Sequence, residues 1–159
     1  MKKINWLNKI KKLKGTPNSV AIGVACGVAV SFTPFVGAHL VLAMLTAWFL
    51  RGNVVAAVLG TAFGNPWTFP FIWASILYTG RKMLQGEGAQ ILNVNFETLF
   101  ARAFRALIKL DFDLFFSDIW PILWPMMVGS LPYCLSAWWL TYIMVKKMLN
   151  KRKIAVEEK

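Results

Sequence analysis

The chain has 159 residues, 57% of them hydrophobic and 16% charged, with a formal net charge of +11. Soluble globular domains hold roughly 50% apolar and about 25% charged residues, so an ordinary soluble fold is excluded on both counts. The length allows one domain, 1–159.

Charge is segregated along this domain. No Asp, Glu, Lys or Arg occurs from Gly15 to Leu50, from Gly52 to Gly80, or from Ile119 to Val145. Each run exceeds the roughly 20 residues that span a bilayer, so the expected class is an all-α integral membrane protein. The basic residues cluster beside these runs: six Lys precede the first and six Lys or Arg follow the last. That placement fits a cytoplasmic face drawn to anionic headgroups. No soluble base-reading module accompanies it, which argues against a nucleic-acid partner.

In chain order, residues 1–14 form a basic segment in which Ile4, Trp6, Leu7, Ile10 and Leu13 share about half of a helical wheel. A short interfacial helix is expected there, followed by a Gly15–Ser19 stretch able to cap the next helix. Residues 15–82 hold two apolar pairs, each broken in the middle. The first pair is Val20–Phe32 and Ala38–Leu50, interrupted at Ser31–Gly37; the second is Val54–Gly64 and Thr68–Gly80, interrupted at Gly64–Phe71. Each break follows small residues four apart: Gly23, Gly27 and Ser31, then Ala56, Gly60 and Gly64. Such a stripe lines one helical face and lets another backbone approach closely. Arms of 13 residues would be about 20 Å long, short of a hydrocarbon core of roughly 30 Å. Two topologies follow: each pair is a re-entrant hairpin, or each is one interrupted crossing. The one-sided distribution of basic residues favours two re-entrant hairpins.

Residues 83–118 contain an amphipathic helix capped by Asn95, with Phe96, Leu99, Phe100, Ala103, Phe104, Leu107 and Ile108 on one face. Lipid interface and the protein's own cytoplasmic face are equally good partners for it. The last apolar run, in 119–148, is a membrane helix or, if it breaks at Gly129–Pro132, a third hairpin; 149–159 is a charged tail. Cys26 and Cys134 lie inside apolar runs without metal spacing and are expected to act as small packing residues.

The polar residues of the apolar runs gather at the breaks: Ser31, Thr33, His39, Asn65 and Thr68. His39 is the only histidine; an intramembrane imidazole carries protons or contacts an anion, or simply bonds a carbonyl freed by the break. Asn65 beside Pro66 serves first as a cap. Arg51 is a snorkelling cation or a lipid-phosphate contact. All seven acids lie outside the apolar runs, and no second histidine or nucleotide loop is present. The expectation is therefore no enzyme, no metal and no cofactor.

The stretches Gly27–His39, with Phe32-Thr33-Pro34-Phe35, and Gly60–Pro70, with Gly64-Asn65-Pro66-Trp67-Thr68-Phe69-Pro70, flank Arg51-Gly52-Asn53. Together they resemble the bacterial integral membrane family catalogued as domain of unknown function 2062, over about residues 15–150. The matching positions are Pro34, Gly37, His39, Asn53, Gly60, Thr61, Asn65, Pro66, Thr68 and Pro70. The resemblance implies an inner-membrane protein without an agreed activity; relatives fused to glycosyltransferase-like domains point toward lipid-linked sugar metabolism. Two functions follow from the residues and this resemblance. One is a transporter or lipid-handling protein whose substrate or lipid meets Thr33, Pro34, His39, Arg51, Asn53, Asn65, Pro66, Thr68 and Pro70. The other is a membrane scaffold in envelope or lipid-linked sugar biosynthesis. Membrane lipids are the expected partners, with a homo-oligomer needed to enclose any path, and the N-terminus is expected in the cytoplasm.

Overall fold

Thr16 starts the first helix: its Oγ1 accepts the Ser19 N–H at 3.2 Å, and Pro17 occupies the first turn, where a missing N–H is no loss. A computed structural model describes residues 15–35, 37–84 and 119–157, with side chains as far as residue 151. The regular elements it describes are all helical: α1 (Pro17–Val30), α2 (His39–Phe49), α3 (Val54–Gly60) extended by a 3-10 turn (Thr61–Phe63), α4 (Phe69–Met83) and α5 (Trp120–Glu157). The interfacial helices expected in 1–14 and 95–109 lie outside the described residues.

Helix α1 is the centre of the molecule. From Val20 to Val30 every residue except Ile22 is buried, and none is larger than valine apart from Ile22. A helix that is apolar all round belongs inside other elements, and α1 packs on α2, α3 and α5.

The first broken pair turns back on itself. Gly37 adopts φ 86°, a left-handed conformation that reverses the chain between α1 and α2. Cys26 and Val30 of α1 then pack with Ala43 and Ala47 of α2. The return is complete at Asn53, whose N–H donates to Ser19 O at 2.8 Å near the start of α1. Helix α2 ends in a full Schellman motif: the Arg51 N–H donates to Trp48 O at 3.0 Å, and the Gly52 N–H to Ala47 O at 2.7 Å. Arg51 supplies the left-handed residue, at φ 55°, where glycine is the usual choice.

Helix α3 starts at Asn53, whose Oδ1 accepts the Ala56 N–H at 2.8 Å, and runs parallel to α1. The two small-residue stripes face one another in register. A Cβ on Gly23 would strike Asn53 O and come within 2.9 Å of Ala56 Cβ; one on Gly27 would strike Ala57 O and lie 2.8 Å from Gly60 Cα. One on Gly64 would lie 2.9 Å from Ser31 Cβ. Backbones this close gain dispersion over many atom pairs.

The second pair corrects the expectation of a matching hairpin. Helices α3 and α4 share no packed interface; α4 packs on α5 instead. Helix α3 runs parallel to α1, and both α1 and α4 run antiparallel to α5, so α3 and α4 point the same way and Asn65–Thr68 launches α4 onward. Helix α4 runs antiparallel to α5: a Cβ on Gly80 would strike Pro125 O, and one on Gly129 would strike Ile76 O. Helix α1 is antiparallel to the other half of α5, with the Cys134 thiol donating to Ala29 O at 3.2 Å and Tyr142 Oη donating to Asn18 Oδ1 at 2.7 Å. The end of α1 and the start of α4 thus meet halfway along α5, where Phe32 stacks on Tyr133 and packs, as Phe69 does, against the cluster around Ile76 and Met126.

The possible third hairpin is likewise corrected. Helix α5 continues without interruption through Pro125 and Pro132 for 38 residues and carries the expected charged tail as far as Glu157. Gly129 is a close-packing position, not a turn.

Candidate functional site

The breaks converge at the α1–α4 junction, and most of their polar groups are satisfied by their own backbone. Ser31 Oγ donates to Gly27 O at 3.0 Å, and Thr33 Oγ1 to Val30 O at 2.7 Å, each joining a backbone N–H already bonded to the same carbonyl at the end of α1. Asn65 and Thr68 form a reciprocal cap. Asn65 Oδ1 accepts the Trp67 and Thr68 N–H groups at 3.0 and 3.1 Å, while Thr68 Oγ1 accepts the Asn65 N–H at 3.0 Å and lies 2.9 Å from Phe63 O. Pro66 falls inside this cap, and Pro70 falls in the first turn of α4, where neither interrupts a helical bond.

His39 differs. Its Nδ1 accepts the Gly37 N–H at 3.2 Å, so the imidazole bonds an amide of the turn, where a freed carbonyl was expected. Accepting at Nδ1 fixes the neutral ring as its Nε2–H tautomer, leaving a donor on the far side. The ring stands edge-on to Phe69 at 5.9 Å, which ties the tip of the first pair to the start of α4. Helix α2 has no side-chain cap at this end.

Pro34 is half-buried beside these groups, whereas Pro66, Trp67 and Pro70 are exposed, Trp67 at 86%. Gly37, Ala38 and Leu40 are exposed as well. The junction therefore lies at the molecular surface. Arg51 and Asn53 are not part of it: they sit at the opposite end of α2 and α3, level with Gly15 and Ser19. The expected set of contact residues divides into a junction group around His39 and an end group around Arg51.

The remainder of the surface is unusually apolar. Trp48, Phe49, Phe71, Leu135 and Met144 are each at least 70% exposed. The segment Trp120–Lys151 is long and apolar enough to cross a membrane, and only 17% of its most apolar window is buried. Helix α1, α2 and the α3 segment are shorter apolar helices.

No curated protein and no solved structure matches the chain. The family model described as "Uncharacterized protein conserved in bacteria (DUF2062)" matches residues 3–157, nearly the full length and every element above, and the chain belongs to that family.

Proposed function

We propose that the protein is a lipid-handling component of the bacterial cytoplasmic membrane, acting at the α1–α4 junction. In this reading α1 and α2 form one re-entrant hairpin, the α3–α4 pair crosses the bilayer as an interrupted helix, and α5 crosses in full. The exposed apolar side chains support it, because a soluble α5 would bury its apolar face and this helix leaves it open. Lengths support it too. Helix α3, its 3-10 turn and α4 hold 7, 3 and 15 residues, roughly 40 Å at about 1.5 Å per α-helical and 2 Å per 3-10 residue, enough for a hydrocarbon core of about 30 Å.

The observation that carries the function is the exposure of the breaks at the surface, at half the height of α5. Irregular backbone facing hydrocarbon directly is not tolerated, so it faces trapped water, protein or a polar group in transit. A lipid headgroup meeting the His39 Nε2–H there would find a donor in place of hydrocarbon, lowering the cost of its passage. Proteoliposomes containing the wild type are expected to exchange headgroup-labelled lipid between leaflets faster than empty liposomes, and His39→Ala to lose most of that exchange while remaining folded. Exchange no faster than in empty liposomes rejects lipid handling.

One observation favours the second reading, a non-catalytic scaffold in envelope or lipid-linked sugar biosynthesis. Ser31, Thr33, Asn65 and Thr68 all bond their own segment, as breaks that serve packing alone would do. Neither reading involves a cofactor or covalent chemistry.

A further inference from the structure

A shallow groove of about 400 Å³ runs along the C-terminal half of α2, lined by Leu45, Thr46, Trp48, Phe49 and Leu50. Its lining is almost wholly apolar: the Thr46 hydroxyl turns back to Leu42 O at 2.8 Å and offers nothing to the groove. Arg51 follows Leu50 directly, is exposed, and holds φ 55°. A non-glycine residue there costs roughly 1–2 kcal/mol relative to its ordinary conformation, and the Schellman geometry would accept glycine without strain. A strained cation kept where an uncharged residue fits better points to a role for its charge.

The charge at this end is one-sided. The Tyr142–Asn18 hydrogen bond and the Asn53–Ser19 backbone bond bring the start of α1, the α2–α3 turn and the last turns of α5 to one level. Lys146, Lys147 and Lys151 therefore lie at the same end as Arg51. Lys146 is fixed there, its Nζ donating to Tyr142 Oη at 2.6 Å and standing 4.9 Å from the ring centre. Among the described residues with side chains there is no carboxylate to balance these cations.

From these features we infer that Arg51 and the α2 groove form a binding site for a phosphate-bearing membrane lipid, with an acyl chain along Leu45–Leu50 and the phosphate at Arg51. A lipid is the occupant whose chemistry matches both halves: a soluble anion has nothing for the groove, and a wholly apolar partner has nothing for Arg51. Arginine suits the task, since its planar fork meets two phosphate oxygens at once. The site depends on the membrane reading but not on the His39 junction, which lies at the other end of α2.

The test uses full-length protein extracted from membranes into detergent, with phosphatidylglycerol retention followed by native mass spectrometry. Wild type is expected to keep the lipid. Arg51→Gly, which relieves the backbone strain and keeps the fold, is expected to weaken binding roughly tenfold, as loss of a charged hydrogen bond does. Leu45→Trp, which fills the groove and leaves the charge intact, is expected to weaken it as well. Glycerol phosphate, the headgroup without chains, is expected to compete poorly. Unchanged binding by either variant, or glycerol phosphate competing as well as the lipid, overturns the site. A wild type recovered only in the soluble fraction overturns the membrane reading and the site together, whereas loss of leaflet exchange in His39→Ala bears on the junction alone.

Discussion

At the scale of single residues, the polar side chains of the breaks divide by what they bond. Asn65 spends its Oδ1 on two amides of its own cap, so Asn65→Ala is expected to lower stability by about 1 kcal/mol without a specific effect on lipid exchange. Thermal melting in detergent, run beside the exchange assay, measures both. Arg51→Gly is expected to do the reverse and raise stability by about 1 kcal/mol, because it removes a left-handed side chain from a motif that glycine satisfies. A lower melting temperature for that variant would mean that the Arg51 side chain holds the fold. Asn65 as a cap was legible in the sequence, from an Asn-Pro pair ahead of an apolar run. The bonding of His39 was not: whether an imidazole meets a carbonyl or an amide depends on how the turn closes, and that rests on Gly37 at φ 86°.

At the scale of elements, the small-residue stripes were visible as stripes, but their mutual pairing was not. Spacing by four says that a face is flat, and says nothing of which other face meets it. Gly23, Gly27 and Ser31 prove to oppose Ala56, Gly60 and Gly64. Gly27→Val is expected to cost about 3 kcal/mol or more, since its Cβ would meet backbone atoms of Ala57, Gly60 and Thr61, which cannot rotate aside. A cross-linking or melting assay that finds the variant as stable as wild type would refute the α1–α3 contact. The α4–α5 contact at Gly80 and Gly129 went unrecognised because Gly129, followed within three residues by Pro132, has the composition of a turn. In the helix Pro132 withholds only its own N–H, and α5 continues through it unbroken. Gly129→Leu is expected to separate α4 from α5 and destabilise by several kcal/mol, roughly the cost of severe overpacking.

At the scale of the whole molecule, two breaks of similar composition do different things. The first reverses the chain through a left-handed glycine, and the second caps a new helix and carries on. The one-sided charge and the short arms favoured two hairpins, because sequence records where a helix stops and not the direction of the next one. The difference matters for charge. The proposed topology of one hairpin and two crossings predicts that Arg51 and the C-terminal end share the side of the N-terminus, and that the sequence from Arg81 to Asp118 belongs to the other. Thirteen of the 18 basic residues then fall with the N-terminus, accompanied by two acids; the other side has five of each. That asymmetry satisfies the positive-inside tendency as an all-hairpin topology would, while giving the α3–α4 pair together, and α5 alone, lengths suited to crossing.

The most direct test of this arrangement is sidedness. Single cysteines at Arg51, Lys82 and Asn150, on a background with Cys26 and Cys134 replaced by Ala, would be labelled in intact cells with a membrane-impermeant maleimide. One re-entrant hairpin followed by two crossings predicts that positions 51 and 150 are protected together and that position 82 labels from outside. Labelling of 82 on the same side as 51, or of 150 on the opposite side, would contradict it.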